Sequence, residues 1–186
     1  MTDKAKSREI YISVDVEAAG PVPATFSMLS IGAVIVGDPK ATFYVELKPV
    51  NNKSIAAAMK VVGRTLADFR TTGRDPKEAM TLFRDWILSV SKKRKPIFVG
   101  FNATFDWAFV NFYFQEYLDE NPFGFGGVDI KSYYMGLTGS TWEDARSSRI
   151  AREFKSDSLK HTHNALDDAL EQAEMLRRMM MRSTKG

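Results

Sequence analysis

The 186-residue chain contains no cysteine, which excludes disulfides, zinc-thiolate sites and a cysteine nucleophile. Any metal must therefore sit on oxygen or imidazole. Histidine is nearly as scarce: the two, His161 and His163, both lie in the late stretch HTHNALDDA. No apolar run approaches the roughly 18 residues of a membrane-spanning helix, and the charged opening MTDKAKSREI lacks the apolar core of a secretory leader. These absences predict a cytoplasmic protein with no membrane partner. Net charge is a mild +3, which permits a polyanionic partner without requiring one. With 44% hydrophobic residues the length suits one buried core. A single domain over 1–186 is expected, its core spanning about 8–182.

REIYISVDVE alternates, with Ile10, Ile12, Val14 and Val16 on one face and Tyr11, Ser13, Asp15 and Glu17 on the other, as a strand requires. FSMLSIGAVIVG and ATFYVELKPV read as two more strands around the turn Gly37-Asp38-Pro39-Lys40, giving an antiparallel meander. The chain then reads as irregular until RDPKEAMTLFRDWILSVSKK, a helix capped by Asp75 with Pro76 at its first position and an apolar stripe of Ala79, Leu82, Phe83, Trp86 and Ile87. PIFVGF is a continuously apolar run typical of a strand buried on both faces. It leads through Asn102 into the aromatic helix TFDWAFVNFYFQEYLDE. A short strand at Val128 to Ile130, a mixed segment and a last helix from about Asn164 to Arg182 follow. A meander followed by alternating helix and strand predicts an α/β domain, a mixed sheet flanked by helices.

Asp15 and Glu17, two apart on a strand, project from one face about 6 to 7 Å apart. A first strand of such a meander tends to lie centrally, where its carboxylates are hard to hydrate and need a counter-ion. Asp106 falls in the first turn of the aromatic helix, favoured there by the helix dipole and set at the strand end where sites in α/β sheets form. Asn102 is placed to cap this helix or to hold a ligand, and capping is the simpler expectation. Along the last helix, Asp167, Glu171, Glu174 and Arg178 share a polar strip, whereas Asp168 lies beside Met175 and Met179 on the apolar shoulder. An inward carboxylate must be paired, protonated or metal-bound. His163 just precedes the expected cap Asn164. His161 reads as structural or exposed. Gathered together, Asp15, Glu17, Asp106 and Asp168 would repel unless divalent cations neutralised them. An all-carboxylate set suits Mg²⁺ or Mn²⁺, and two such ions suit phosphodiester cleavage, with a histidine as proton acceptor.

D15-V-E17, N102-A-T-F-D106 and H163-N-A-L-D-D168 together resemble the three motifs of the DEDDh 3′-5′ exonucleases, the superfamily of RNase T, oligoribonuclease and polymerase proofreading subunits. The resemblance implies an RNase H-like exonuclease fold with a mixed five-stranded sheet. It implies that Asp15, Glu17, Asp106 and Asp168 hold two Mg²⁺ or Mn²⁺ ions, with Asp15 shared, and that His163 is the general base. The partner implied is single-stranded nucleic acid with a free 3′ end, shortened to release nucleoside 5′-monophosphates. RNA is favoured over DNA from the likeness to stand-alone ribonucleases. Asn102, Met28 and Leu29 are the candidate substrate contacts, the last two matching a region that packs near the 3′-terminal base. One departure stands out: the family's D-x-E-T-T-G is here D-V-E-A18-A19-G20, which removes side-chain hydroxyls and leaves backbone amides for the terminal nucleotide.

Two rivals of other classes are a catalytically silent binding module of the same fold and a subunit working only within a larger complex. The presence of all four acids and the histidine argues against the first. SKKRKP reads as a solvated helix end, PFGFGG as a turn rather than a phosphate loop, and Asp129 as a strand-end residue beside the site. The aromatics Trp107, Phe109, Phe112, Tyr113 and Phe114 encircle their helix. A homodimer surface is expected to take those that the core does not.

Overall fold

Strand β1 (Glu9–Ala18) sorts its side chains as the alternation requires. The computed structural model describes residues 8–154 and 164–183. Ile10, Ile12, Val14 and Val16 are buried on one face in the main core, leaving Asp15 and Glu17 on the other. Strands β2 (Met28–Ile35) and β3 (Asp38–Glu46) complete the meander. Asp38, Pro39 and Lys40 already belong to β3, so the reversal is tighter than the sequence suggested. Between β3 and the next strand lie α1 (Ala56–Val62), α2 (Leu66–Thr72) and α3 (Pro76–Ser91). Strand β4 (Lys95–Gly100), α4 (Thr104–Leu118), β5 (Gly127–Asp129), α5 (Ile130–Thr138), α6 (Ser147–Phe154) and α7 (Ala165–Ser183) follow.

The sheet order is β3-β2-β1-β4-β5. β1 is central, antiparallel to β2 and parallel to β4. Helices α3 and α4 cover the face of Ile12 and Val14, where Phe83, Phe98, Phe109 and Phe114 fill the core. A second core lies around α5, α6 and α7, with Val99, Ile150, Met175, Leu176 and Met179. Asp75 accepts the Lys77 N–H at 3.0 Å and Pro76 opens α3, as its sequence requires. Leu82 is exposed, and Met80 takes its place in the core. Helices α1 and α2 stand where the sequence predicts irregular chain. α1 fully buries no residue, its Met59 and Val62 packing half-buried beside Phe69, while α2 opens with a Thr65–Asp68 capping box and sets Phe69 against Ala19 and Leu29.

On α4, Phe109, Tyr113 and Phe114 are buried, and Trp107, Phe112 and Tyr117 pack against the same core. Trp107 and Phe112 are half-buried, and Phe105 on the same helix is exposed. Among the described residues no helix is long and apolar enough to cross a membrane.

Glycine decides how α7 meets the sheet. Gly32 pairs with Asp15 across β2 and β1. A Cβ on Gly32 would lie 2.2 Å from the carbonyl carbon of Ala165. The bare backbone lets the first turn of α7 rest directly on the sheet beside Asp15.

Candidate active site

Asp168 lies in that first turn. Asn164 caps α7, its Oδ1 accepting the Leu166 and Asp167 N–H groups at 3.0 and 3.4 Å, which fixes the helical phase and turns Asp168 inward. Asp15, Glu17 and Asp168 each offer a carboxylate oxygen within 4.8 Å of the others. Asp168 is 4% exposed, and Asp167 stays on the surface.

Asp106 joins this group from the other side of the β1 backbone. β1–β4 pairing ends at Ser13 and Val99, so the Val16 N–H finds no partner in β4. Asp106, 4% exposed, accepts it through Oδ1 at 3.0 Å. Its carboxylate lies outside the cluster of three, yet its charge acts on both Asp15 and Glu17.

The electrostatics follow from crowding. Burial, then the charges of Asp106, Asp168 and Glu17, push the Asp15 carboxyl well above the usual carboxylate range, and the Gln172 amide pulls it partly back. Burial and the Asp168 and Asp106 charges raise Glu17 to about 7. Asp106 rises to about 7 through burial, opposed by the Val16 N–H and its own backbone N–H, with Asp129 and Asp168 adding to the rise. No cation figures among the groups acting on these three. An oxygen-only set carrying this much unrelieved repulsion fits a hard divalent cation.

The sequence reading missed Gln172. Its Nε2 donates to Asp15 Oδ1 at 2.7 Å, and its Oε1 accepts the Phe101 N–H at 2.9 Å. A backbone N–H can only donate, so the amide orientation follows. Its spacing of four from Asp168 on a helix was the available signal. Glu171, expected on the polar strip, is instead buried. It lines a cavity of about 510 Å³ with Asp15, Asp168, Gln172, Asn102 and Ser147 and Ser148 of α6.

Other expectations need correction. Asn102 does not cap α4: it adopts φ 52°, the N-cap position is Ala103 with no side-chain cap, and Asp129 Oδ2 accepts the Ala103 N–H at 2.8 Å. Asn102 is exposed in the cavity wall instead. Asp129 also caps α5 by accepting the Ser132 N–H at 2.7 Å. Met28 and Leu29 have no exposed surface to offer a base, because Met28 sits in the main core and Leu29 packs on Phe69. In the A18-A19-G20 turn the Ala19 N–H is already donated to the Ser27 carbonyl at 2.8 Å, and the Phe26 ring lies where a Cβ on Gly20 would be. His161 and His163 lie outside the described residues.

Known proteins resemble this chain in sequence and in fold. The family described as 3′-5′ exoribonuclease Rv2179c-like domain matches residues 10–180. The 3′-5′ DNA exonuclease Cap18 of Escherichia coli is 47% identical over 171 residues, which cover 91% of each chain. Among solved structures, the nuclease domain of 3′hExo, a DEDDh family member bound to rAMP, superposes with a TM-score of 0.78 at 17% identity, covering 97% of this chain and 95% of that one. An E. coli ExoI–ssDNA complex reaches a TM-score of 0.70 at 17% identity, covering 97% of this chain and 42% of that one. These two likenesses establish the fold, a mixed five-stranded sheet of the RNase H-like exonuclease type.

Proposed function

Since this chain belongs to the Rv2179c-like 3′-5′ exoribonuclease domain family and is a 3′-5′ exonuclease, we propose that it is a two-metal-ion hydrolase that shortens single-stranded nucleic acid from a free 3′ end. The observation that carries this reading is the convergence of Asp15, Glu17 and Asp168 within 4.8 Å, with Asp106 buried alongside.

Asp15, Glu17 and Asp168 hold Mg²⁺ or Mn²⁺, and Asp106 completes the set. A divalent cation held there would supply charge neutralisation at the scissile phosphate and a more acidic attacking water. Gln172 keeps Asp15 oriented while the Phe101 N–H keeps Gln172 in place. His163 takes the proton from the water, a role supported by its position five residues before Asp168 in the motif and by the near-neutral pKa of imidazole. The P–O3′ bond breaks, leaving a 3′-hydroxyl on the strand and releasing a nucleoside 5′-monophosphate.

The family description names RNA and the E. coli relative names DNA. The turn after Glu17 offers only Ala18, Ala19 and Gly20, with no side-chain hydroxyl or amide to read a 2′-hydroxyl. RNA and DNA are both taken as candidate substrates, the family description supporting the RNA expected from sequence and the E. coli relative supporting DNA. Digestion of matched 5′-labelled RNA and DNA oligonucleotides with Mg²⁺, Mn²⁺ or chelator tests this. A metal-dependent ladder descending from the 3′ end on both supports it. Cleavage without metal, or no ladder from folded protein, refutes it.

A further inference from the structure

Beyond the carboxylates, a second cavity of about 620 Å³ is lined by Asn102, Thr104, Asp129, Lys131, Ser132 and Trp142. Asn102 also lines the cavity of Asp15 and Asp168, so the two spaces adjoin at this residue.

Lys131 is only 9% exposed, which is unusual for a lysine lacking a carboxylate partner. Its ammonium lies 3.5 Å from the centroid of the Trp142 ring. Among the described residues no acidic side chain forms an ion pair with it. Asp129 faces the same space, but its oxygens already accept the Ala103 N–H, the Ser132 N–H and the Ser132 hydroxyl. The ammonium thus brings three donors to a cavity whose one carboxylate, on Asp129, already accepts three hydrogen bonds. Trp142 is 53% exposed, an indole held by a cation on one side with much of its surface in solvent. Trp86 and Trp107, by contrast, pack against the main core.

A buried cation with no carboxylate ion-paired to it among the described residues, beside an exposed aromatic ring and next to a phosphodiester-cleaving site, matches the chemistry of a nucleotide: anionic phosphate for the ammonium, and a flat base for the ring. We propose that the Lys131–Trp142 cavity is a second nucleotide subsite, which binds a phosphate on Lys131 and stacks an unpaired base on Trp142, holding the strand upstream of the 3′ end being cut. This rests on the exonuclease reading only for the identity of the strand. Stacking tolerates any base, so the subsite confers a need for length and single-strandedness rather than sequence.

The test uses the full chain and thymidylate oligomers. With chelator present, an octanucleotide should quench tryptophan fluorescence in the wild type, and Trp142→Ala should abolish the quench. With Mn²⁺, Trp142→Ala should raise KM for the octanucleotide by about 5- to 150-fold, the range expected for loss of one stacked base, while kcat changes far less. Trp142→Phe keeps a stacking face and should recover most of the KM. Lys131→Met should raise KM and lower the slope of log affinity against log salt by about 1. An unchanged KM together with an undiminished quench in Trp142→Ala would overturn the subsite. Wild-type protein that shows the quench yet cuts nothing with metal would refute the exonuclease reading and still support the subsite.

Discussion

Gln172 Nε2 donates to Asp15 Oδ1 at 2.7 Å and is itself oriented by the Phe101 N–H at the end of β4. An outer-shell bond of this kind fixes a ligand's direction, and its loss typically costs 10- to 100-fold, on the order of 1–3 kcal/mol, in metal affinity or activity. Gln172→Ala is expected to weaken Mn²⁺ binding within that range by calorimetric titration. Gln172→Glu, which places another carboxylate against Asp15, should do at least as much damage. Unaltered Mn²⁺ affinity in both variants would refute the orienting role.

Stability should depend on pH with the sign opposite to a salt-bridged carboxylate. Glu17 and Asp106 are raised to about 7 in the folded state, from 4.5 and 3.8. A raised carboxyl binds its proton more tightly when folded, so its stabilising contribution is complete below about pH 4. It is lost as pH climbs through about 7. In chelator, Tm is expected to fall between pH 5 and 8. Added Mg²⁺ or Mn²⁺ should raise Tm more at pH 8 than at pH 5. Asp15→Asn should raise the Tm of the metal-free protein at pH 8 by removing one repelling charge. A metal-free Tm that rises over this interval would contradict the crowding described.

Gly32 controls the seating of α7. A methyl group there would meet the Ala165 backbone at 2.2 to 2.3 Å, and backbone cannot swing aside as a flexible side chain can. Gly32→Ala is expected to cost about 1–3 kcal/mol by overpacking and to depress activity by moving Asp168 away from Asp15. Urea unfolding and strand-shortening rates check both halves. A variant as stable and as active as wild type would show that α7 tolerates displacement.

Ser13 offers a test confined to stability. Its hydroxyl is fully buried on the α7 face of β1 with no hydrogen-bond partner among the described residues. Burying an unsatisfied polar group costs on the order of 1–3 kcal/mol, so Ser13→Ala should raise the urea midpoint. A lowered midpoint would reveal a bond to the hydroxyl.

Much of this site was legible in the sequence because its parts obey local periodicities. Alternation along β1 placed Asp15 and Glu17 on one face, and helical phase separated the inward Asp168 from the exposed Asp167. What escaped depends on contacts between distant segments. Gln172 gains meaning only where Phe101 N–H and Asp15 arrive on either side of it. Gly32 looks like any strand glycine until α7 lies across it. Asn102 gave up the capping role because it sits at φ 52°, one residue before the N-cap position Ala103, whose own N–H goes to Asp129 from 26 residues further on. Helix α1 fully buries no side chain and offers only the half-buried pair Met59 and Val62 to read, although the Thr65–Asp68 box before α2 was available.

The central claim is that carboxylates from β1, α4 and α7 form one metal-dependent hydrolytic centre. The measurement that bears on it most directly is the rate of 3′ shortening of a 5′-labelled oligonucleotide in Mn²⁺ by wild type, Asp15→Asn, Asp106→Asn and Asp168→Asn. Each substitution keeps the side chain's size and removes its charge. Wild type is expected to produce a descending ladder, and each variant to lose about a thousandfold or more, roughly 4 kcal/mol of transition-state stabilisation, while remaining folded. Near-wild-type shortening by a folded Asp106→Asn or Asp168→Asn protein would contradict the assignment.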